Sequence, residues 1–185
     1  MKVTGGRSRG KVLISLKGMD IRPTSSKVRE AIFNILGQDM TGIRVLDLFA
    51  GTGILGIEAL SRGADGAILI DKSGQSVNII NKNLALCGYQ ALCRVFKMDL
   101  IKGSFFDLLS LKEKFDLVFV DPPYRKGIIP PVLTTLSSCG LLSGQALVVT
   151  ESSKNDSLPE RVGTLLLSDT RIYGKTKIDI YNREH

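Results

Sequence analysis

The sequence predicts an α/β fold, a largely parallel sheet with helices on both faces and an antiparallel hairpin at its end. Three observations predict it. From Arg44 onward, short apolar strand-like runs alternate with segments whose apolar residues recur at helical spacing. The first of these strands runs into a tight glycine turn, Gly51-Thr52-Gly53, and then into a helix. The last two strand-like runs, 165–167 and 177–181, have no helix between them, so they pair around Tyr173-Gly174-Lys175.

The elements follow in order. Residues 1–4 and 11–16 read as two strands joined by Gly5-Gly6-Arg7-Ser8-Arg9-Gly10, a flexible cationic tip. Pro23 biases Arg22 toward an extended shape. Ser25 or Ser26 caps a helix whose apolar face is Val28, Ile32, Ile35 and Leu36, with Arg29, Phe33 and Asn34 on other faces, and Gly37 ends it. Residues 45–49 are the strand before the glycine turn; Ile54, Leu55, Ile57 and Leu60 mark the helix after it. Residues 67–70 form a strand ending at Asp71. Val77, Ile80, Leu84 and Cys87 mark a helix that Gly88 ends. Residues 92–96 form a strand ending near Asp99, and 105–111 a short helix. Residues 115–120 form a strand ending at Asp121. Val132, Leu136 and Cys139 mark a helix with Pro130 and Pro131 in its first turn. Residues 146–150 are a fifth strand.

Composition bounds the function. A chain of 185 residues with 43% hydrophobic and 23% charged residues can bury a proper core. No apolar run approaches the roughly 18 residues of a membrane span, and residues 12–16 are too short for a signal-peptide core. Cys87, Cys93 and Cys139 are odd in number and lack metal-ligand spacing, which fits reduced thiols in the cytoplasm and no metal centre. The single histidine, His185, argues against histidine chemistry. The net charge of +7 is uneven: residues 1–30 carry eight Lys/Arg and two Asp/Glu, and residues 31–170 carry thirteen and fourteen. A basic front on a near-neutral body fits a polyanion such as nucleic acid.

The glycine turn spells G-x-G-x-x-G (Gly51, Gly53, Gly56), and Asp71 follows about 20 residues on, the dinucleotide pattern. Asp47 argues otherwise. A carboxylate four residues before Gly51 repels a pyrophosphate but can hold an ammonium. S-adenosylmethionine carries an ammonium and a sulfonium and no phosphate. Four predicted strands end in or near an acid, Asp47, Asp71, Asp99 and Asp121, and ligands of open α/β sheets bind outside such strand ends. Asp71 is expected to accept hydrogen bonds from ribose hydroxyls. Asp99 is expected to meet an adenine amine, with Met98 or Leu100 against the ring. Phe49, Ala50, Thr52 and Lys72 complete the expected cofactor set.

Asp121-Pro122-Pro123-Tyr124 is the second decisive stretch. Consecutive prolines fix φ and remove two N–H donors, leaving carbonyls of Asp121 and Pro122 to face a ligand. Acceptors on the N–H groups of a nucleobase amine can direct its delocalised lone pair at a methyl group. The Asp121 carboxylate would stabilise the positive charge that develops on nitrogen, and Tyr124 offers a ring for base stacking.

Four signatures together resemble one family. They are Gly5-Gly6-x-x-Arg9-Gly10; Arg22-Pro23-Thr24 with Val28-Arg29-Glu30 and Phe33-Asn34; Asp47-x-Phe49-Ala50-Gly51-x-Gly53; and Asp121-Pro122-Pro123-Tyr124. The chain resembles the RsmD family of bacterial methyltransferases. Two departures are Lys72 after Asp71, where some relatives carry a further acid, and a first strand that opens almost at Met1. The resemblance implies a Rossmann-like class I methyltransferase with a seven-stranded mixed sheet. It implies S-adenosylmethionine as donor, S-adenosylhomocysteine as product, and the N2 of a guanine in 16S rRNA as acceptor (family target guanine 966). The substrate would be the 30S subunit or its precursor. Residues 1–40 are then a basic, RNA-facing extension and residues 41–185 the catalytic domain, in a cytoplasmic monomer. The expected RNA contacts are Arg7, Arg9, Lys11, Arg22, Arg29, Arg125, Lys126 and Lys175. The rival readings are an adenine-N6 methyltransferase, a protein-glutamine methyltransferase, a non-enzymatic RNA-binding module and an NAD oxidoreductase.

Overall fold

The computed structural model describes residues 1–15, 25–101, 113–123 and 127–184. The expected helix over 105–111 lies outside the described residues, as do Arg22, Tyr124, Arg125, Lys126 and His185. The chain divides into two compact units, Met1–Met98 and Asp99–His185.

In the first unit, β1 (Arg44–Asp47), β2 (Gly66–Asp71) and β3 (Cys93–Lys97) form a parallel array in the order β3-β2-β1. Val45 pairs with Ala67 and Asp47 with Leu69; Ala67 in turn pairs with Cys93 and Asp71 with Lys97. Three helices accompany them: α1 (Ser26–Leu36), α2 (Ile54–Ser61) and α3 (Gly74–Cys87). Every residue of α2 is buried. Such a helix is held by packing on all sides rather than by one amphipathic face. Ser73 caps α3 by accepting the Ser76 amide, and Gly88 ends it in the left-handed region.

Helix α1 differs from expectation. Ser25 is its cap, accepting the Val28 amide at 3.2 Å. Its buried face, however, is Val28, Arg29, Ile32 and Phe33, whereas Ile35 is exposed. Hydrophobic spacing favoured Ile35 and Leu36 beside Val28 and Ile32; instead Arg29, paired with buried Glu58, and Phe33, with the Arg62 guanidinium 4.2 Å over its ring, complete the buried face. The N-terminal hairpin is also reduced. Lys2 and Val12 form one antiparallel bridge, supported by Val3 N–H to the Lys11 carbonyl, but neither arm is a regular strand.

In the second unit, β4 (Phe115–Val120) runs parallel to β5 (Leu142–Ser153). Antiparallel pairing then continues through β8 (Thr176–Arg183), β7 (Leu165–Tyr173) and β6 (Arg161–Val162). The expected closing hairpin is present and longer than expected. Helix α4 (Ile129–Ser138) carries Pro130 and Pro131 in its first turn, where missing N–H donors cost nothing. The described residues hold eight strands, against seven expected; the two-residue β6 makes the difference.

Candidate active site

In the first unit, strand β1 stops at Asp47 and the chain turns through Leu48 to Gly53 into α2. The three glycines serve different ends. Gly51 and Gly53 have φ of 56° and 77°, the left-handed region that side chains rarely adopt. Among the described residues, a Cβ on Gly51 would meet nothing within 4 Å. A Cβ on Gly56 would lie 2.7 Å from Leu69 Cδ1, so this glycine lets α2 pack closely on β2.

Two side chains from later elements hold the turn. Asp71, at the end of β2, accepts the Gly51 amide at 2.8 Å through Oδ2 and the Ser73 amide at 2.8 Å through Oδ1. Each oxygen keeps a lone pair for a further donor. Asn83 on α3, which sequence reasoning missed, donates to the Thr52 carbonyl at 2.9 Å. Lys72 is exposed, Phe49 half-buried, and Ala50 and Thr52 buried.

Asp47 is 1% exposed, and neither carboxylate oxygen has a hydrogen-bond partner among the described residues. Burial pushes its carboxyl up to about 7. The Phe49 and Gly56 amides draw it down in part without reaching hydrogen-bond geometry, and the negative Asp71 raises it further. A desolvated, unpartnered acid is costly unless something supplies a cation or donors. At the strand end that leads into a glycine turn, it is the arrangement that an ammonium-bearing ligand would complete. Beyond β3, Met98 donates its amide to the Asp71 carbonyl at 3.0 Å.

The basic front, expected as a flexible tip, is hydrogen-bonded to the body of its unit. The Gly5–Gly10 loop is seated on the end of α2: the Arg7 amide donates to the Ser61 carbonyl at 2.7 Å, and the Ser61 hydroxyl to the Gly5 carbonyl at 2.6 Å. A Cβ on Gly6 would fall 1.9 Å from the Ser61 carbonyl oxygen, so the glycine is there for contact. The side chains of Arg7, Arg9 and Lys11 remain exposed. Arg29 does not join them. It is 2% exposed, its Nε lies 3.4 Å from Glu58 Oε1, and it donates to the Lys2 carbonyl at 2.8 Å. Glu58, fully buried, also pairs with Arg62 and accepts the Thr4 amide at 2.7 Å. Arg29 is thus a core ion-pair residue, not the surface RNA contact expected of it. A shallow cleft of about 550 Å³ beside Arg7, Gln38 and Arg62 lies at the far end of α2 from the glycine turn.

In the second unit, β4 ends at Val120, in register with Thr150 of β5. The chain leaves the sheet at Asp121, which is half-buried, followed by buried Pro122 and exposed Pro123. Asp99 accepts the Ile101 amide at 3.2 Å and Leu100 is buried. Lys175, in the β7–β8 turn, is exposed.

Both the parallel array with its glycine turn and the acid-Pro-Pro strand end belong to the class I, S-adenosylmethionine-dependent methyltransferase fold. Solved structures bear this out. The Escherichia coli protein yhhF superimposes with a TM-score of 0.85 and 34% identity, covering 100% of this chain and 98% of its own. A conserved hypothetical protein from Streptococcus pyogenes does so with a TM-score of 0.77 and 40% identity, over 85% and 96%. Residues 1–182 match the family described as Conserved hypothetical protein 95. Ribosomal RNA small subunit methyltransferase D of Escherichia coli is 32% identical over 100% of this chain and 90% of its own length. The Bacillus subtilis protein YlbH is 34% identical over 99% of each. The chain belongs to this family, the RsmD family of methyltransferases.

Proposed function

We propose that the protein transfers a methyl group from S-adenosylmethionine to the exocyclic N2 of a guanine in 16S rRNA, the family's guanine 966. The observation that carries the donor assignment is the buried Asp47 carboxylate, without a hydrogen-bond partner among the described residues, at the strand end that leads into the glycine turn. The rRNA assignment is supported by the name of the Escherichia coli relative, a ribosomal RNA small subunit methyltransferase, and by the exposed cations Arg7, Arg9 and Lys11. Bound donor supplies an electrophilic methyl group on a sulfonium.

The chain's own residues would do the rest. Asp47 offers its carboxylate to the donor's ammonium, and Asp71 its remaining lone pairs to ribose hydroxyls. Asp99, Met98 and Leu100 form the adenine side. Asp121 and the Pro122 carbonyl accept the N2 hydrogens, aim the nitrogen lone pair, and stabilise the charge that nitrogen gains. Tyr124 stacks the flipped base. Much of the acceleration comes from alignment, because no covalent intermediate is required. Arg7, Arg9, Lys11, Arg22, Arg125, Lys126 and Lys175 hold the RNA backbone. Residues 1–40 serve as the RNA-facing extension of a monomeric, cytoplasmic enzyme acting on the 30S subunit or its precursor.

The test is transfer of labelled methyl to 30S subunits from cells lacking this protein, followed by nucleoside analysis. Label in N2-methylguanosine is expected. Label in N6-methyladenosine would move the assignment to adenine.

A further inference from the structure

The turn through Gly51 and Gly53 is closed internally by the Gly53 amide on the Ala50 carbonyl at 2.7 Å, and its glycines add no side-chain sterics to hold it further. Two side chains hold it from outside. Asp71 fixes the amide side, at Gly51. Asn83 fixes the carbonyl side, at Thr52.

Asn83 does more than that. It is fully buried on α3, and its side chain serves two segments distant in sequence. Nδ2 donates to the Thr52 carbonyl at 2.9 Å and to the Ile14 carbonyl at 3.1 Å, while Oδ1 accepts the Ile14 amide at 2.8 Å. Toward Ile14 it acts as the missing partner of a β-bridge. Residue 14 closes the stretch that pairs back on the N-terminus, since the Leu13 amide donates to the Met1 carbonyl and the Val3 amide to the Lys11 carbonyl. The same stretch follows directly on the loop carrying Arg7 and Arg9. Thr52 reaches that end too, its hydroxyl lying 3.8 Å from Met1 Sδ. The nearly isosteric residues do not replace Asn83: aspartate lacks both donors and leucine lacks all three groups.

We propose that Asn83 is a positioning residue for the donor site, holding the glycine turn in its receptive shape and tying that shape to the seating of residues 11–14. It follows, on the reading of the turn as the donor site, that donor affinity and order in the N-terminal segment rise and fall together. By linkage, RNA that steadies the basic loop tightens donor binding, and donor tightens RNA binding by the same factor.

The experiment titrates S-adenosylhomocysteine calorimetrically into the full chain as wild type, Asn83→Asp and Asn83→Ala, with hydrogen exchange followed at the Ile14 amide. Wild type should show slower Ile14 exchange when saturated. Asn83→Asp should raise Kd roughly tenfold, the worth of one or two lost hydrogen bonds, and abolish the response at Ile14. Ile14→Pro removes the N-terminal donor alone at a partly exposed position and should still raise Kd about threefold; it decides the matter if the Asn83 variants fail to fold. A Kd within about twofold of wild type in folded Asn83→Asp or in Ile14→Pro overturns the proposal. So does wild-type Ile14 exchange that ignores the ligand. Wild type that binds no S-adenosylhomocysteine instead sinks the reading of the turn as a donor site.

Discussion

The Asp71 carboxylate accepts the Gly51 amide at 2.8 Å, joining the end of β2 to the turn that follows β1 across 20 residues of sequence. An acid expected only to meet a ribose therefore also shapes the turn. Asp71→Ala should weaken S-adenosylhomocysteine binding by more than tenfold, since a backbone anchor and a ligand acceptor go together. Asp71→Asn should lose less, because its amide oxygen can still accept one N–H. Isothermal titration of both variants checks the order.

Asp47 makes a pH-dependent prediction. Its folded-state value of about 7 lies above the ordinary carboxylate range, so the native state holds a proton that the unfolded chain has already released. Its contribution to ligand-free stability is fully present below about pH 4 and is lost as pH rises to about 7. Asp47→Asn should abolish that dependence. The difference in Tm between Asp47→Asn and wild type should therefore grow in favour of the variant from pH 4 to 7 and level off above. The same variant should bind S-adenosylhomocysteine at least tenfold more weakly at pH 8, having lost a charge-assisted contact. Thermal scans across pH and one titration measure both halves.

Arg29 separates structure from recognition. Its guanidinium shares buried Glu58 with Arg62, and removing one member of such a group strands the others. Glu58→Ala and Arg29→Ala should each cost about 3–5 kcal/mol in urea unfolding. Arg29→Ala, compared under conditions where it is folded, should leave the salt dependence of RNA binding unchanged.

The exposed arginines should behave in the opposite way. Arg7→Ala with Arg9→Ala should leave urea stability within about 0.5 kcal/mol of wild type, as expected of surface changes. It should lower the slope of log K against log salt by about one to two, one phosphate contact per arginine. Filter binding of 16S rRNA over a range of salt concentrations reads the slope.

What was legible in the sequence was local. The strand before the glycine turn, the proline-started α4 and the closing hairpin each announce themselves within a dozen residues. So do Asp47 and Asp121, each placed at or just past the end of an apolar strand. What was not legible depends on partners far along the chain. Arg29 looked like a surface cation because Glu58, 29 residues on, cannot be paired with it by inspection. The Gly5-Gly6 loop looked free because its seat is Ser61. Asn83 gave no signal, since a polar residue on a helix ordinarily faces water, and its three bonds run 31 and 69 residues back. The two-residue β6 was too short to show any period.

Asp121 is the residue to test most directly, by turnover and donor binding measured on the same variant. Asp121→Ala should cut single-turnover methyl transfer to 30S subunits by at least about a thousandfold, as for loss of a group that stabilises transition-state charge, while the Kd for S-adenosylmethionine stays within about threefold of wild type. Wild-type turnover in that variant would contradict the account.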